Sequence, residues 1–239
     1  MDSKEHLAPN YPAPTSNRPL LGLTILVVED SRYASEAMRL LCLRSGARIR
    51  RADSLRAARK HLKMYQPSVV IVDLGLPDGT GSDLISDIYD ASPRPEVILG
   101  ASGDPGADDI AIAAGADGFL AKPIDSLGTF QEAILAHLPE DRRPLGPRSI
   151  STDAVDPDPI AYRDDMAHIA DVLEEARSGS ELDYVAQFLS GVANIANDNA
   201  LVHAAQELAR ERARGHSARA QAATIAGLLQ ERLTNRMVI

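Results

Sequence analysis

The chain has few of the features that mark secreted or membrane proteins. It contains a single cysteine, Cys42, in 239 residues, so it cannot form an internal disulfide. No hydrophobic run approaches the length of a membrane span, and the first residues lack the basic and apolar regions of a signal peptide. Cys42 lies in a leucine-rich stretch, which predicts a buried core thiol. We therefore expect a cytoplasmic protein with no membrane partner.

Aromatic residues and a basic excess are also scarce. Aromatic side chains make up 4% of the residues, tryptophan is absent and the formal net charge is −9. Neither half of the chain carries the basic excess typical of nucleic-acid binding, so no nucleic-acid partner is favoured. The hydrophobic content of 44% is enough for a core in each of two domains.

Two apolar runs end in carboxylates. The run from Ser68 to Val72 leads into Asp73 and then into a turn rich in Pro and Gly. An upstream run, residues 23–28, ends in the pair Glu29-Asp30. Because the carboxyl ends of parallel strands meet at one edge of an open α/β sheet, we expect these three carboxylates to lie together. A third apolar run ends in Lys122-Pro123 and would bring an ammonium group to the same edge.

These four side chains are the groups that a phosphoryl acceptor needs. A carboxylate that attacks a phosphoryl group is repelled by its oxygens, so a divalent cation must neutralise charge. Glu29, Asp30 and Asp73 would hold that cation, and Mg²⁺ suits a hard oxygen site. Lys122 would pair with a phosphoryl oxygen. An aspartate after a strand is commonly a helix cap, and an acid pair there is usually solvated surface, but their joint occurrence favours the phosphoacceptor.

The motifs ILVVEDS, VVIVDLGLPDGTG and GADGFLAKP, with their spacing, resemble the receiver domain of two-component response regulators. The resemblance covers residues 20–138. It implies that Asp73 is the phosphoacceptor, that Lys122 is the catalytic lysine, and that the main-chain carbonyl of Gly75 completes the metal ligands. It also implies that a histidine kinase or a phosphotransfer protein supplies the phosphoryl group. Such a domain is a self-phosphorylating, Mg²⁺-dependent acceptor and not an enzyme that turns over an external substrate.

One position departs from the family pattern. Receivers place a Ser or Thr at the end of the fourth strand, and counting back from Lys122 without a gap puts Gly100 there. Ser102 could supply the hydroxyl if the loop is shifted by two residues. Phe119 occupies the position of the aromatic residue that responds to phosphorylation in the family. We expect phosphorylation to survive this departure, with a conformational response that is weak or differently connected.

Alternating apolar and amphipathic segments predict a doubly wound α/β fold for the first half of the chain. We expect a flavodoxin-like, five-stranded parallel sheet in strand order 2-1-3-4-5. The strands are predicted near 23–29, 47–51, 68–73, 96–100 and 117–121, and the helices near 31–45, 54–65, 81–91, 106–114 and 125–138. Residues 1–19 are predicted as a disordered tail, residues 20–138 as the receiver domain and residues 139–159, with five prolines, as an extended linker.

Residues 160–239 show helical periodicity and hardly any strand signal. Four apolar stripes predict four amphipathic helices, which would close into an all-α four-helix bundle that serves output or dimerisation. The stripes are Met166, Ile169, Leu173 and Ala176; Leu182, Val185, Leu189 and Val192; Leu201, Ala204, Ala205 and Leu208; and Ala222, Ile225, Leu229 and Leu233. Many alanines allow close helix approach, so the same faces could also form a homodimer.

The second and third of these helices resemble those of a histidine-containing phosphotransfer domain. That family has a His, two further residues and then Lys-Gly. Here Gln187 stands at the position of the His and Ser190 at that of the Lys, while Gly191 is retained. Because Gln cannot carry a phosphoryl group, the resemblance implies a degenerate fold, in which the small Gly191 would let a receiver approach closely. A generic four-helix bundle is the alternative.

Three functional classes follow. We favour a response regulator of a phosphorelay that signals through a helical protein-interaction domain. The alternative is a phosphorelay intermediate or phosphate sink, which would need a phosphorylatable histidine. His168 and His203 lack the motif and are interpreted as ordinary surface histidines. A transcription regulator is less favoured, because no recognition helix with clustered Lys and Arg is apparent in the sequence.

Overall fold

The computed structural model describes residues 13–124, 126–146, 151–176 and 179–234. The first part of the predicted tail, residues 1–12, lies outside this range. Within it the chain forms an α/β unit followed by a helical unit, in the predicted order. Across these residues no helix combines the length and the apolar character needed to cross a lipid bilayer.

A parallel sheet forms the centre of the α/β unit. Its strands are β1 (Thr24–Val28), β2 (Arg48–Ala52), β3 (Val69–Asp73), β6 (Val97–Ser102) and β7 (Gly118–Ala121), and a short antiparallel hairpin of β4 (Gly75–Leu76) and β5 (Gly79–Thr80) lies between β3 and the next helix. The sheet order is β2-β1-β3-β6-β7, with every neighbouring pair parallel. The predicted order 2-1-3-4-5 of the main strands is therefore confirmed. The hairpin was not predicted.

Helices cover both faces of the sheet. They are α1 (Arg32–Ser45), α2 (Leu55–Met64), α3 (Gly81–Tyr89), α4 (Ala107–Ala113) and α5 (Leu127–Leu135). Alternate residues of β1 point to opposite faces: Ile25 and Val27 pack with α1 and α5, whereas Leu26 and Val28 pack with α2, α3 and α4. Cys42 is fully buried in the first of these cores, as predicted, and burial raises the pKa of its thiol to about 12.

The segment after α5 lies against the α/β unit. A single 3₁₀ turn, Glu140–Arg142, follows α5. Farther along, the carbonyls of Ser151 and Asp153 accept hydrogen bonds from the backbone amides of Gly128 (2.8 Å) and Leu127 (3.0 Å) at the start of α5. Val155 packs against the adjacent core. The described residues 151–158 of the predicted linker are therefore attached to the sheet unit by backbone hydrogen bonds.

Four helices make up the second unit: α6 (Pro159–Glu175), α7 (Gly179–Ile195), α8 (Asn199–Ala213) and α9 (Arg219–Thr234). Each packs against the next along the chain, and α9 returns to α6, so the helices close into a bundle. The predicted stripes supply its buried core, which includes Met166, Ile169, Val185, Leu189, Val192, Leu201, Ala205, Leu208, Ile225 and Leu229. The predicted helical fold of this part of the chain is confirmed.

Candidate functional site at the carboxyl edge of the sheet

Three carboxylates and one ammonium group meet at the carboxyl edge of the sheet. Glu29 and Asp30 follow β1, and Asp73 is the last residue of β3; one oxygen from each of the three lies within 4.8 Å of the others. Lys122 follows β7, with its Nζ 2.5 Å from Glu29 Oε2 and 3.0 Å from Asp73 Oδ2. The structure thus brings together all four residues that the strand ends pointed to.

Burial and charge dominate the electrostatics of this cluster. Burial raises the pKa of Glu29 and of Asp30 above the usual range, and the neighbouring Asp73 raises both further, against the effect of Lys122. Burial alone would lower the pKa of Lys122, but Asp73 and Glu29 hold it above its ordinary value. When all three carboxylates are ionised, they and the ammonium group carry a formal charge of −2, which a divalent cation would neutralise.

The donor set at this edge fits a hard divalent cation. Glu29, Asp30 and Asp73 offer only carboxylate oxygens, which Mg²⁺ and Ca²⁺ prefer to nitrogen or sulfur ligands. Gly75 lies next to them in β4, and its amide is 3.4 Å from Asp73 Oδ1. Its expected role as a carbonyl ligand stays a prediction.

Ser102, the alternative source of a switch hydroxyl, lines the cavity at the cluster. This residue ends β6, is 3% exposed and lines the same cavity as Asp73 and Lys122. Gly100 lies two residues earlier in the strand, where a Cβ would come within 2.5 Å of the Ala111 Cβ. The half-buried Phe119 pairs with Gly100 across the strands, and its ring also borders that glycine. Ser102 therefore lines the cavity at the cluster and Gly100 does not, and the switch role of either residue stays a prediction.

Helix α7 covers the carboxylate cluster. The Tyr184 hydroxyl donates a hydrogen bond to Asp30 Oδ2 at 2.6 Å, and Gln187 Nε2 donates to Asp104 Oδ2 at 2.9 Å. Gln187 also lies directly against Gly75. The cavity that remains between α7 and Asp73 is only ≈ 20 Å³, about the space of one water molecule.

The glycine that permits this close approach is Gly75 and not Gly191. Any Cβ at Gly75 would overlap the side-chain amide of Gln187, whereas a Cβ at Gly191 meets no atom within 4 Å. The expectation that Gly191 allows the receiver to approach is therefore wrong. The physical reason is that the contact forms between a side chain of α7 and the backbone of β4. Ser190 and Gly191 do line the cavity.

A second contact joins α6 to the start of α1. Asp165, which is 2% exposed, accepts hydrogen bonds from Ser31 Oγ (2.7 Å), the Arg32 amide (2.9 Å) and the Tyr33 amide (3.0 Å). Ser31 is itself the N-cap of α1 and accepts from the Ala34 amide. The Asp165 carboxylate therefore lies at the positive end of α1, where a negative charge is stabilised. Tyr33 continues this interface, because it belongs to the apolar core of the bundle and its ring lies edge-on to the ring of Tyr162.

Sequence reasoning missed Asp165 and Tyr184. Neither stands in a recognised motif, and both act on residues more than 130 positions away. The weak signal available was the spacing of Tyr184 one helical turn before Gln187, which places both on the same face of α7.

His168 lies on the exposed side of the interface with its ring against Phe188, and His203 is exposed on α8. No histidine lines the cavity at Asp73 within the described residues.

Comparison with known proteins agrees with this geometry. Residues 25–134 match the family model described as response regulator receiver domain. The KDP operon transcriptional regulatory protein KdpE of Escherichia coli is 33% identical over 99 residues, which are 41% of this chain and 44% of that protein. The virulence transcriptional regulatory protein PhoP of Salmonella typhimurium is 29% identical over 102 residues, covering 42% and 46%. The chain thus spans less than half the length of these curated relatives.

Solved structures resemble the same part of the chain. The chemotaxis response regulator CheY4 of Vibrio cholerae is 23% identical, covers 48% of this chain and 98% of its own, and aligns with a TM-score of 0.45. A response regulator protein from Burkholderia pseudomallei, solved with a phosphorylated aspartic acid and a calcium ion, is 30% identical over 50% of this chain and 68% of its own, with a TM-score of 0.41. On the family match and the strand order, residues 25–134 are a response regulator receiver domain of a two-component system.

Proposed function

We propose that this protein is a phosphorelay response regulator that accepts a phosphoryl group on Asp73 and signals through its helical bundle. The observation that carries the proposal is the grouping of Asp73 with Glu29, Asp30 and Lys122 at one edge of the sheet. A phosphoacceptor needs a nucleophilic oxygen, acidic ligands for a cation and a positive charge for the phosphoryl oxygens, and these four residues supply all three.

The transfer is a displacement at phosphorus. An oxygen of Asp73 attacks the phosphoryl group of a phosphohistidine on a kinase or phosphotransfer protein, the new P–O bond forms, and the P–N bond breaks. The leaving imidazole nitrogen keeps the electron pair of the broken bond. Lys122, with Nζ already 3.0 Å from Asp73 Oδ2, would pair with an oxygen of the transferred group. Bound Mg²⁺ supplies the positive charge that offsets repulsion between the phosphoryl oxygens and the carboxylates. The protein itself is the acceptor and turns over no external substrate.

The helical bundle is proposed as a protein-interaction unit derived from a phosphotransfer fold. Its α7 faces a receiver edge with Gln187 at the position of the family's histidine, which supports that origin. A relay or phosphate-sink role for the bundle would need a histidine at that edge, and the cavity lining contains none within the described residues. Homodimerisation through the bundle stays a prediction, to be measured by sedimentation with and without a beryllofluoride phosphoryl mimic.

Transcription control is a second candidate, because the curated relatives KdpE and PhoP are named as transcriptional regulators. Their similarity covers only the receiver part of this chain. In the bundle, the last arginines of α8 and the one that caps it pair with acids: Arg210 with Glu207, Arg212 with Asp183, and Arg214 with Glu211. Arginines already paired in this way are not a free basic surface, which disfavours DNA binding.

The test is phosphorylation of the full chain by acetyl phosphate with Mg²⁺, followed by intact mass. We expect one phosphoryl group on the wild type, none on Asp73→Asn, and loss of the label when Mg²⁺ is chelated. Asp83→Asn is the matched control, since Asp83 is an exposed carboxylate in the first turn of α3. Full labelling of Asp73→Asn would refute the site, and specific binding of a promoter fragment would favour transcription control.

A further inference from the structure

The bundle contacts the receiver edge at two places, the start of α1 and the carboxylate cluster. On one side, Asp165 of α6 accepts three hydrogen bonds from residues 31–33 at the start of α1. On the other, α7 reaches the cluster through Tyr184 and Gln187. Asp165 and Ser31 are buried and Asp30, Tyr184 and Gln187 are half-buried, whereas Asp104 at the rim is exposed, so the two units form a continuous interface.

Gln187 occupies the approach to the phosphoacceptor. Its amide lies against Gly75, two residues beyond Asp73, and donates a hydrogen bond to Asp104, which lines the same cavity. A donor must bring its phosphorus in line with an Asp73 oxygen, which requires open space in front of the carboxylate. With ≈ 20 Å³ left beside Asp73, a side chain of a partner protein cannot enter while α7 is in place.

Gln187 blocks the space in front of Asp73, and Tyr184 adds a hydrogen bond to the carboxylate cluster. Its hydroxyl donates to Asp30 Oδ2, one of the oxygens in the carboxylate cluster, and thus partly neutralises a charge that a cation would otherwise meet. The contact therefore stabilises the acidic edge when it is covered. A cation or a phosphoryl group at the same edge competes with the tyrosine for the same carboxylate.

We propose that the face of α6 and α7 carrying Asp165, Tyr184 and Gln187 is a binding surface for the chain's own receiver edge, and that it keeps Asp73 closed to phosphoryl donors. Gln187 acts there as a stand-in for a donor side chain that fits the edge but has no phosphoryl group to give. This inference rests on the proposed function, since it concerns access to the same Asp73.

Two consequences follow because phosphorylation of Asp73 and the docking of α7 are thermodynamically linked. The rate of phosphorylation equals the rate in the open state multiplied by the fraction of open chains, so any change that weakens the interface speeds labelling. Conversely, a phosphoryl group on Asp73 needs the space that Gln187 holds and therefore displaces α7, which frees the α6 and α7 face. A partner with a receiver-like acidic edge would then be able to bind that face.

The experiment measures the rate at which acetyl phosphate with Mg²⁺ labels the full-length chain. In the labelling step the P–O bond to acetate breaks, the P–O bond to Asp73 forms and acetate leaves. The interface is opened at a position outside the cavity by Asp165→Ala, and its matched control is the neighbouring Asp164→Ala, which removes only an exposed ion pair to Arg32. Hydrogen exchange of residues 74–81 and 182–191 reports opening independently of chemistry.

We expect Asp165→Ala to be labelled about tenfold faster than the wild type and to lose protection in both segments, because three hydrogen bonds to a buried carboxylate are removed. Asp164→Ala should behave like the wild type. Gln187→Glu, which puts a carboxylate against Asp104 and the cluster, is the second opening variant, and Gln230→Glu, on the exposed side of α9, is its control.

The outcomes separate the two proposals. Equal labelling of the wild type, Asp165→Ala and Gln187→Glu would overturn the closed state while leaving Asp73 as the acceptor. No label on any of the three, with exchange showing that the two variants have opened, would overturn the phosphoacceptor and support the interface. Faster labelling of both opening variants, and of neither control, would support both.

Discussion

Tyr184 and Asp30 lie 154 residues apart in the chain and share a hydrogen bond of 2.6 Å at the carboxyl edge of the sheet. Burial, and after it the adjacent Asp30 carboxylate, raises the pKa of the Tyr184 hydroxyl, so this group remains protonated and donates. The same hydrogen bond opposes the rise that burial imposes on the pKa of Asp30. One tyrosine of the bundle is thereby coupled to an acidic residue of the receiver's cation site.

Tyr184→Phe should therefore strengthen Mg²⁺ binding. Without the hydroxyl, the oxygens of Asp30 lose a competing donor, and the apparent Mg²⁺ affinity of the full chain is expected to rise about fivefold. Isothermal titration calorimetry measures this affinity directly. Tyr89→Phe is the control, because the Tyr89 ring is 54% exposed and lies beside Arg94, on the α3 side of the sheet. An unchanged affinity in Tyr184→Phe would show that the hydroxyl does not compete with the cation.

The residues of the receiver edge could be predicted from the sequence because each of them lies at the end of an apolar strand. Glu29, Asp30, Asp73 and Lys122 converge once the strands are parallel, and the alternation of strands and helices predicts that they are. The hairpin at 75–80 was missed, because two residues in each strand leave no periodic pattern to detect.

The interface between the units could not be predicted from the sequence in the same way. Asp165 and Tyr184 are single polar residues on helical faces, and the pattern that predicts those helices says nothing about which receiver atoms they meet. Gly75 carried a role from the family resemblance, but its contact with Gln187 depends on how the two units dock. Such contacts between distant segments are decided by tertiary packing, which local spacing does not encode.

Gly100→Ser should destabilise the receiver and not repair its switch. A Cβ at this position would come within 2.5 Å of the Ala111 Cβ on α4, so the helix would have to move. Overpacking of this kind costs about 1–3 kcal/mol of the free energy of unfolding. Gly103→Ser is the control, since a Cβ there meets only atoms of Lys122 at 3.8 and 4.0 Å. Urea denaturation followed by circular dichroism measures both; equal stability of the two variants would contradict the packing argument.

The bundle has a polar contact of its own that should make its stability depend on pH. Asp198 caps α8 and accepts hydrogen bonds from Arg232 Nε (2.9 Å), Arg232 Nη2 (3.0 Å) and the Tyr162 hydroxyl (2.9 Å). The Arg232 hydrogen bonds hold the pKa of Asp198 below its usual value. A lowered pKa in the folded state means that the contribution to stability is present above the unfolded value of about 3.9 and is lost as the pH falls through the folded value.

Asp198→Asn should accordingly destabilise the bundle by about 2 kcal/mol at neutral pH, the scale of lost hydrogen bonds to a charged group. The difference from the wild type should shrink as the pH falls below about 4, because the wild-type carboxylate then takes up a proton. Urea unfolding at a series of pH values gives both quantities. Asp183→Asn removes a similar pairing with Arg212 at an exposed site and should have a much smaller effect. A difference that stays constant down to pH 2 would exclude the carboxylate charge as its source.

Gly75→Ala tests the docking of α7 from the receiver side. A methyl group at this position overlaps the Gln187 amide, and the backbone of Gly75 does not lie in the left-handed region, so the expected strain falls on the interface and not on β4. Because the methyl group meets only the flexible end of Gln187, we expect that amide to leave Gly75 and to lose its hydrogen bond to Asp104, and residues 182–191 to exchange amide hydrogens faster, measured without added cation. Gly191→Ala lies on the same interface at a position where a Cβ meets nothing within 4 Å. It should leave the docking intact and favour α7 slightly, because alanine is the better helix former. Faster exchange in Gly191→Ala but not in Gly75→Ala would restore the expectation drawn from the phosphotransfer motif, in which Gly191 is the point of close approach.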